Sequence, residues 1–283
     1  MNENERRLAM RRIADTALAA CLVWEEWPGI NFFQGPEMDL MLSDNPHPLF
    51  NAVLRSHLPE YRVTDAIPGA LRLAQARNTP LSWFLYPEDT PPDLGERLAK
   101  EGFLQAGESL GMLRRLESPL PGFQAPQDME EVADAAAMTR FTAALAPHFA
   151  LDRAAAEAFA QIHQAVGLGP ESAWRHFLLT REGKAAATVS VFTRGDTAAL
   201  ANLCVGAEHR GQGLGRAMTQ QALAAARQGG CQAISLLANP GAAKLFADLG
   251  FEEAGTVQRF FMAAGAWKPA PKGCCEGCSG CGA

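Results

Sequence analysis

Apolar residues recur at helical spacing along residues 5–22, where Leu8, Ile13 and Leu18 stand among alanines and predict an amphipathic helix. Its arginines at 6, 7, 11 and 12 read as a solvated face. Trp24–Phe33 is aromatic and predicts extended chain. After the DNPHP loop at 44–48, a helix is expected near Leu49–His57. Another is expected from Pro68 to Arg77, because proline suits a first helical turn. Leu81–Tyr86 (LSWFLY) reads as a buried strand, Pro92–Glu101 as a short helix, and the chain onward to Leu116 as strand. Ser118–Gln127 holds three prolines and no periodicity, which marks a linker. Asp128 with Glu131 has capping-box spacing and predicts a helix over 129–145, followed by one over 152–166. Trp174–Arg181 and Lys184–Arg194 predict paired strands, Gly195-Asp196 a turn, and Thr197–Val205 a third strand.

The pattern repeats. GFLQAG at 102–107 matches GFEEAG at 250–255, a spacing of 148 residues (250 − 102), at which Leu94 falls on Ala242 and Leu98 on Phe246. At a spacing of 150, Leu73-Ala74 and Ala76-Arg77 match Leu223-Ala224 and Ala226-Arg227. Ordered agreement of this kind predicts a duplicated unit of helix, strand, helix, Gly-Phe and strand. The expected organisation is a module over 1–118, a linker over 119–127, a second module over 128–264 and a tail over 265–283.

Composition narrows the class. Of 283 residues 48% are hydrophobic and 20% charged, which suits a globular chain and argues against global disorder. A net charge of −6 argues against a nucleic-acid-binding surface, which needs clustered cations. No apolar run approaches the ~18–20 residues of a membrane span. The first residues mix Glu3, Glu5 and Asp15 with the arginines, unlike a secretory leader, so a cytoplasmic location is expected.

The second half carries a feature that the first lacks. A strand ending at Val205 leads through a short turn to Arg210-Gly211-Gln212-Gly213-Leu214-Gly215 and then an amphipathic helix ended by Gly229-Gly230. Glycines let a backbone approach a ligand, and the first N–H groups of a helix lack intrahelical partners, so such a turn suits phosphate. A tight strand-to-helix connection would also use these glycines. The strand Cys231–Ala238 and the segment Asn239–Phe251 follow.

These residues resemble the GNAT superfamily of acyl-CoA-dependent N-acetyltransferases. Its pyrophosphate loop is Gln/Arg-x-x-Gly-x-Gly/Ala, whose specified places are taken by Arg210, Gly213 and Gly215. Upstream, Val205, Glu208 and Arg210 match the family's Val-x-Pro-Glu-x-Arg, with Ala207 replacing the proline. Asn239, Ala242, Leu245, Gly250 and Phe251 match its second cofactor motif. The resemblance covers about 128–264 and reaches 1–118 only through the repeat. It implies an α/β fold (an α+β mixed sheet) of two GNAT-like modules, each a mostly antiparallel sheet flanked by helices. It implies acetyl-CoA as cosubstrate, held by Leu203, Val205, Arg210, Gly211, Gln212, Gly213, Leu214, Gly215, Arg216, Asn239 and Phe246. The acceptor would be an amine of a small molecule or peptide. Some 150 residues before the loop lies EYRVTD at 60–65, with no glycine, so the first module should not hold the pyrophosphate this way.

Two departures bear on the chemistry. Position 246, usually the tyrosine that protonates the departing thiolate in the family, is Phe. A thiol of pKa ~8.5 is ~2 kcal/mol from ionised at pH 7, so this loss slows transfer without forbidding it. The strand Thr197–Val205 carries no carboxylate, leaving the base unassigned. His148, His163 and His176 are candidates acting through water, and Asn202 could orient one. Ordinary surface or core roles compete for each. A lysine-type amine needs about 4.6 kcal/mol to become neutral at pH 7, an α-amino group only ~1–1.4. The competing readings are a catalytically weak acyl-CoA sensor or scaffold, and a metal- or redox-responsive protein. The last is motivated by Cys274, Cys275, Cys278 and Cys281, four thiols within eight residues that could hold zinc or an iron–sulfur cluster, although zinc-ribbon pairs lie further apart; a thiol-rich disordered tail is the competing expectation.

Overall fold

The computed structural model describes residues 1–116 and 123–268. The four tail cysteines and residues 119–122 of the 119–127 segment lie outside the described residues. The described chain forms one eleven-stranded mixed sheet, mostly antiparallel, flanked by helices. Helix α1 (Glu3–Leu22) precedes β1 (Ile30–Gln34), β2 (Met38–Ser43) and β3 (Ala52–Ser56). Helix α2 (Val63–Ala76), β4 (Leu81–Leu85), α3 (Leu94–Lys100) and β5 (Leu104–Arg115) complete the first half. The second half runs β6 (Met129–Glu131), α4 (Ala135–Phe149), α5 (Arg153–Val166), β7 (Trp174–Arg181), β8 (Lys184–Arg194) and β9 (Thr197–Val205). It ends with α6 (Leu214–Gln228), β10 (Ala233–Ala238), α7 (Ala243–Ala247) and β11 (Glu252–Met262).

The sheet order is β1-β2-β3-β4-β11-β5-β10-β9-β8-β7-β6. The terminal strand of each half therefore pairs into the other: β11 lies beside β4, and β5 beside β10. The registers mirror one another. Leu81 stands opposite Met262, and Ile234 opposite Arg114, so the two partners differ by 262 − 114 = 148, the spacing of the sequence repeat. Ser82 pairs with Ala52 and Ser235 with Ala199 at equivalent points of the two parallel ladders.

Four local expectations are corrected. Residues 52–56 form β3 instead of helix: Ala52, Val53 and Leu54 are all buried between flanking strands, and a short apolar run does not distinguish strand from helix. Helix α2 starts at Val63 and contains Pro68 internally, because its buried stripe Val63, Ile67, Ala70, Leu71 and Ala74 begins before the proline. Residues 129–131 pair with β7 as an edge strand, and Asp134 caps α4 by accepting the Ala137 N–H at 2.7 Å. Trp24 lies in a 3-10 turn, Val23–Glu26, where extended chain was expected.

Two cores sit on opposite faces of the second half. Phe177, Leu179, Val189, Val191, Ala198 and Leu200 face α6. On the other face Leu178 and Cys204 join α4, α5 and first-half residues such as Met41 and Phe50. The halves thus share a core as well as a sheet.

Candidate active site

Strand β10 pairs with β9 only at Ala233–Thr197, Ile234–Ala198 and Ser235–Ala199. Beyond Ser235 no pairing between them remains, although β9 runs to Val205 and β10 to Ala238. A gap therefore opens toward the ends of both strands. Its origin is a bulge: Thr188 faces Cys204 and Ser190 faces Ala201, so Asn202 and Leu203 together oppose Val189. Asn202 takes the left-handed conformation (φ +54°), which a short polar side chain tolerates. Gly206 donates its N–H to Ala186 in β8 at 2.9 Å. By strand alternation the main chain of Val205, and of Leu203 before it, faces away from β8 into the gap.

The glycine turn closes one end of this gap. Gly211 and Gly213 have φ of +75° and +78°, and a Cβ on either would enter open space. Gly213 is the N-cap of α6 and supplies no side chain to it, while at this end the Ala217 N–H donates to Gly213 O at 3.1 Å. The N–H groups of Leu214, Gly215 and Arg216 therefore lack intrahelical acceptors. Gly215 has a different reason to be glycine: a Cβ there would lie 3.3 Å from Leu245 Cδ2, so α6 and α7 pack through it. Arg210 and Arg216 are exposed. Arg210 Nε reaches back to Val205 O at 3.4 Å, and Gln212 Nε2 donates to Glu208 O at 3.1 Å, bracing the turn.

Across the gap, Asn239 Oδ1 accepts the Gly241 N–H at 3.0 Å and begins the turn into α7. Phe246 is 4% exposed and meets Phe251 edge-on, with ring centroids 5.7 Å apart. It is a core residue.

The three candidate histidines do not line the gap as free bases. His148 is exposed on α4. His163 and His176 are buried among Trp24, Phe141, Phe159 and Trp174, their own rings 4.4 Å apart. Burial lowers the pKa of both, that of His176 to about 3, so both rings are neutral. His176 is connected to the bulge, however. Its Nδ1 lies 2.7 Å from Ser190 Oγ, which accepts from Asn202 Nδ2 at 2.9 Å, while Thr188 Oγ1 donates to Asn202 O at 2.8 Å. Sequence reasoning missed Ser190 and Thr188. Strand alternation in β8 was the available signal, since it puts both on the face of His176.

The equivalent gap in the first half is closed by its own chain. Strands β3 and β4 pair only at Ala52–Ser82 and Val53–Trp83. Where they part, Thr90 donates to Ser56 O at 3.4 Å and Leu58 donates to Thr90 O at 3.1 Å. Asp89 enters beneath, accepting from Tyr86 N–H at 3.0 Å and Ser56 Oγ at 3.2 Å. Elsewhere a groove of about 510 Å³ lies between α1 and the start of β9, lined by Arg11, Arg12, Asp15 and Arg194. It is at the opposite end of β9 from the glycine turn. Among the described residues no group of three or more His, Cys, Asp or Glu side chains could hold a metal ion. None of the helices there is long and apolar enough to cross a membrane.

The bulged strand, the gap and the glycine turn all lie within the segment that matches a known family. Residues 139–251 match the model of the Acetyltransferase (GNAT) family, and the chain carries a GNAT acetyltransferase domain there. No curated protein matches the chain. Among solved structures, a GCN5-related N-acetyltransferase from Kribbella flavida aligns with a TM-score of 0.67 at 20% identity, over 90% of this chain and 95% of its own. A tandem GNAT protein of the clavulanic acid biosynthesis pathway aligns at 0.58 and 19%, over 95% and 97%. A GCN5-related N-acetyltransferase from Sphaerobacter thermophilus aligns at 0.57 and 14%, over 89% and 91%. At these identities the likeness is one of fold, and it spans both halves.

Proposed function

We propose that the second half binds acetyl-CoA and transfers its acetyl group directly to an amine of a small molecule or peptide within a ternary complex. One observation carries this reading: the gap beyond Ala199 and Ser235 opens beside a turn with unpartnered helix N–H groups. The pantetheine arm would pair with the main chain of Leu203 and Val205. The pyrophosphate would meet the N–H groups of Gly211 to Arg216, with Arg210 and Arg216 supplying charge. Asn239 and Phe246 would border the cofactor from the β10 side. The Val205 N–H would stabilise the oxyanion formed when the amine attacks the thioester carbonyl. The C–N bond forms, the C–S bond breaks, and the ammonium proton is lost to solvent or to the departing thiolate.

Calorimetric titration with CoA, then thiol release from acetyl-CoA with a panel of amines, tests this. Saturable binding and amine-dependent release are expected. Absence of CoA binding overturns the assignment. A second reading, an acyl-CoA-binding sensor without turnover, draws on the buried Phe246 and the carboxylate-free β9. Binding without release to any amine would establish it. Soft-metal ligation by Cys274, Cys275, Cys278 and Cys281 is a separate proposal, from sequence alone, tested by metal analysis after anaerobic purification.

A further inference from the structure

We infer that Asn202 holds the acceptor amine through its side-chain oxygen, fixed in that orientation by Ser190 and His176, and that the acceptor is an amine of low basicity. This rests on the acetyltransfer reading above. The observations start at the bulge. Asn202 is half-buried on β9 where β10 has ceased to pair, and its side chain lies on the sheet face covered by α4 and α5, opposite α6. The Nδ2 group donates to Ser190 Oγ, and among the described residues no hydrogen bond reaches Oδ1. Because the Ser190 oxygen receives that N–H, its own proton is available to His176 Nδ1. With Nδ1 accepting, His176 would carry its proton on Nε2, an atom with no partner among the described residues. In this polarity the three side chains form a one-way chain of donors from Asn202 to His176; the opposite polarity would run from His176 Nδ1–H through Ser190 to Asn202 Oδ1, and the tautomer of His176 separates the two. His176 and Ser190 are 0% exposed, so solvent does not compete for these bonds.

A carboxamide oxygen accepts an N–H but takes no proton at neutral pH. The site therefore orients an amine without deprotonating it. The amine must arrive neutral, which an α-amino group of pKa ~7.7–8.0 does far more readily than a lysine-type amine of ~10.4. Its nitrogen, one N–H engaged by Asn202, attacks the thioester carbon. The C–N bond forms as the C–S bond breaks, and the proton lost from nitrogen goes to solvent. Asn202 is the binding residue here, while Ser190 and His176 position it.

The test uses the full chain with three variants, Asn202→Ala, Asn202→Asp and Ser190→Ala. Each is titrated with CoA and assayed with glycinamide, as an α-amino probe, and with n-butylamine, as an alkylamine probe. The wild type should favour glycinamide. Asn202→Ala should lower kcat/KM for glycinamide by at least about tenfold with CoA affinity unchanged, the order expected for one lost hydrogen bond. Ser190→Ala should raise KM more than it lowers kcat. Asn202→Asp should improve butylamine and add a carboxylate limb to the pH–rate profile. Nitrogen NMR of the CoA-bound wild type should find His176 protonated on Nε2. An Nδ1–H tautomer, wild-type kinetics in Asn202→Ala, or a preference for butylamine overturns the inference and leaves CoA binding standing. Loss of CoA binding in the wild type overturns the functional reading instead. CoA binding without turnover of either amine overturns acetyl transfer and this inference together.

Discussion

Leu58 donates its main-chain N–H to the carbonyl of Thr90 at 3.1 Å, and this bond crosses the first half's counterpart of the gap between β9 and β10. In the second half Leu203 and Val205 meet no strand on that side. Two parallel strands thus part at equivalent places in both halves, and residues 86–90 fill the parting in the first, the half that also lacks the glycine turn.

The filling is built around a carboxylate, which makes it pH-sensitive. Burial raises the pKa of Asp89 to about 6, against the opposing bonds from Tyr86 N–H and Ser56 and the nearby His57. A carboxyl with a raised folded-state pKa contributes stability below its unfolded value, and that contribution is lost as pH rises through the folded value. Asp89→Asn should therefore match the wild type near pH 4, gain on it between pH 4 and 6, and hold its gain above pH 6. The shift sets an upper bound of roughly 3 kcal/mol. Denaturant titrations across this range check it; a gain that shrinks as pH rises would contradict the assignment.

Gly213 separates ligand binding from folding. Its φ of +78° gives any other residue a strain of about 1–2 kcal/mol, but a side chain there meets open space. Gly213→Glu should remain folded with a slightly lower thermal midpoint and should lose CoA binding, since a carboxylate would fill the position proposed for the pyrophosphate. Calorimetric titration of the folded variant decides; unchanged CoA affinity would remove this turn from the binding site.

The β9–turn–α6 connection was legible in the sequence because its parts are local: Gly211, Gly213 and Gly215 fall within five residues. The repeat was legible because Gly102-Phe103 and Gly250-Phe251 end equivalent helices. Strand exchange was not, since periodicity reports which face of β5 or β11 is buried and says nothing of its neighbour. For the same reason β3 and β6 were misread: segments of three to five residues become strands only when a partner is supplied. The Asn202–Ser190–His176 chain joins three strands and leaves no local pattern.

Phe246 stands where the family's tyrosine would donate to the departing thiolate. Its ring is buried against Phe251, so a hydroxyl placed there must either reach the cofactor or remain unpartnered. The thiolate arithmetic limits the benefit to ~2 kcal/mol, or about 30-fold in rate. Phe246→Tyr should preserve turnover or raise it within that limit. A large fall in kcat with CoA affinity intact would show that the packing on Phe251 shapes the transfer site.

The last prediction concerns where the folded body ends. Repeat and motif positions stop at Met262, and a tail was expected from residue 265, yet Trp267 is 6% exposed. It belongs to the first-half core with Leu71, Leu81, Phe103 and Met262. Its Nε1 donates to Glu101 Oε2 at 3.3 Å, and its carbonyl accepts from Gln75 Nε2 at 3.4 Å. Trp267 thus ties the chain leaving β11 to α2 and α3 of the opposite half, reinforcing the strand exchange. Removing residues 268–283 should leave the thermal midpoint and CoA binding nearly unchanged. Trp267→Ala should destabilise the protein by about 3–5 kcal/mol, as deletion of a buried indole does. Denaturant unfolding of the two variants side by side checks the contrast. Equal stability of the two would mean that Trp267 contributes nothing to the core, and a truncation at 268 that unfolds the protein would mean that the body continues into the cysteine-rich segment.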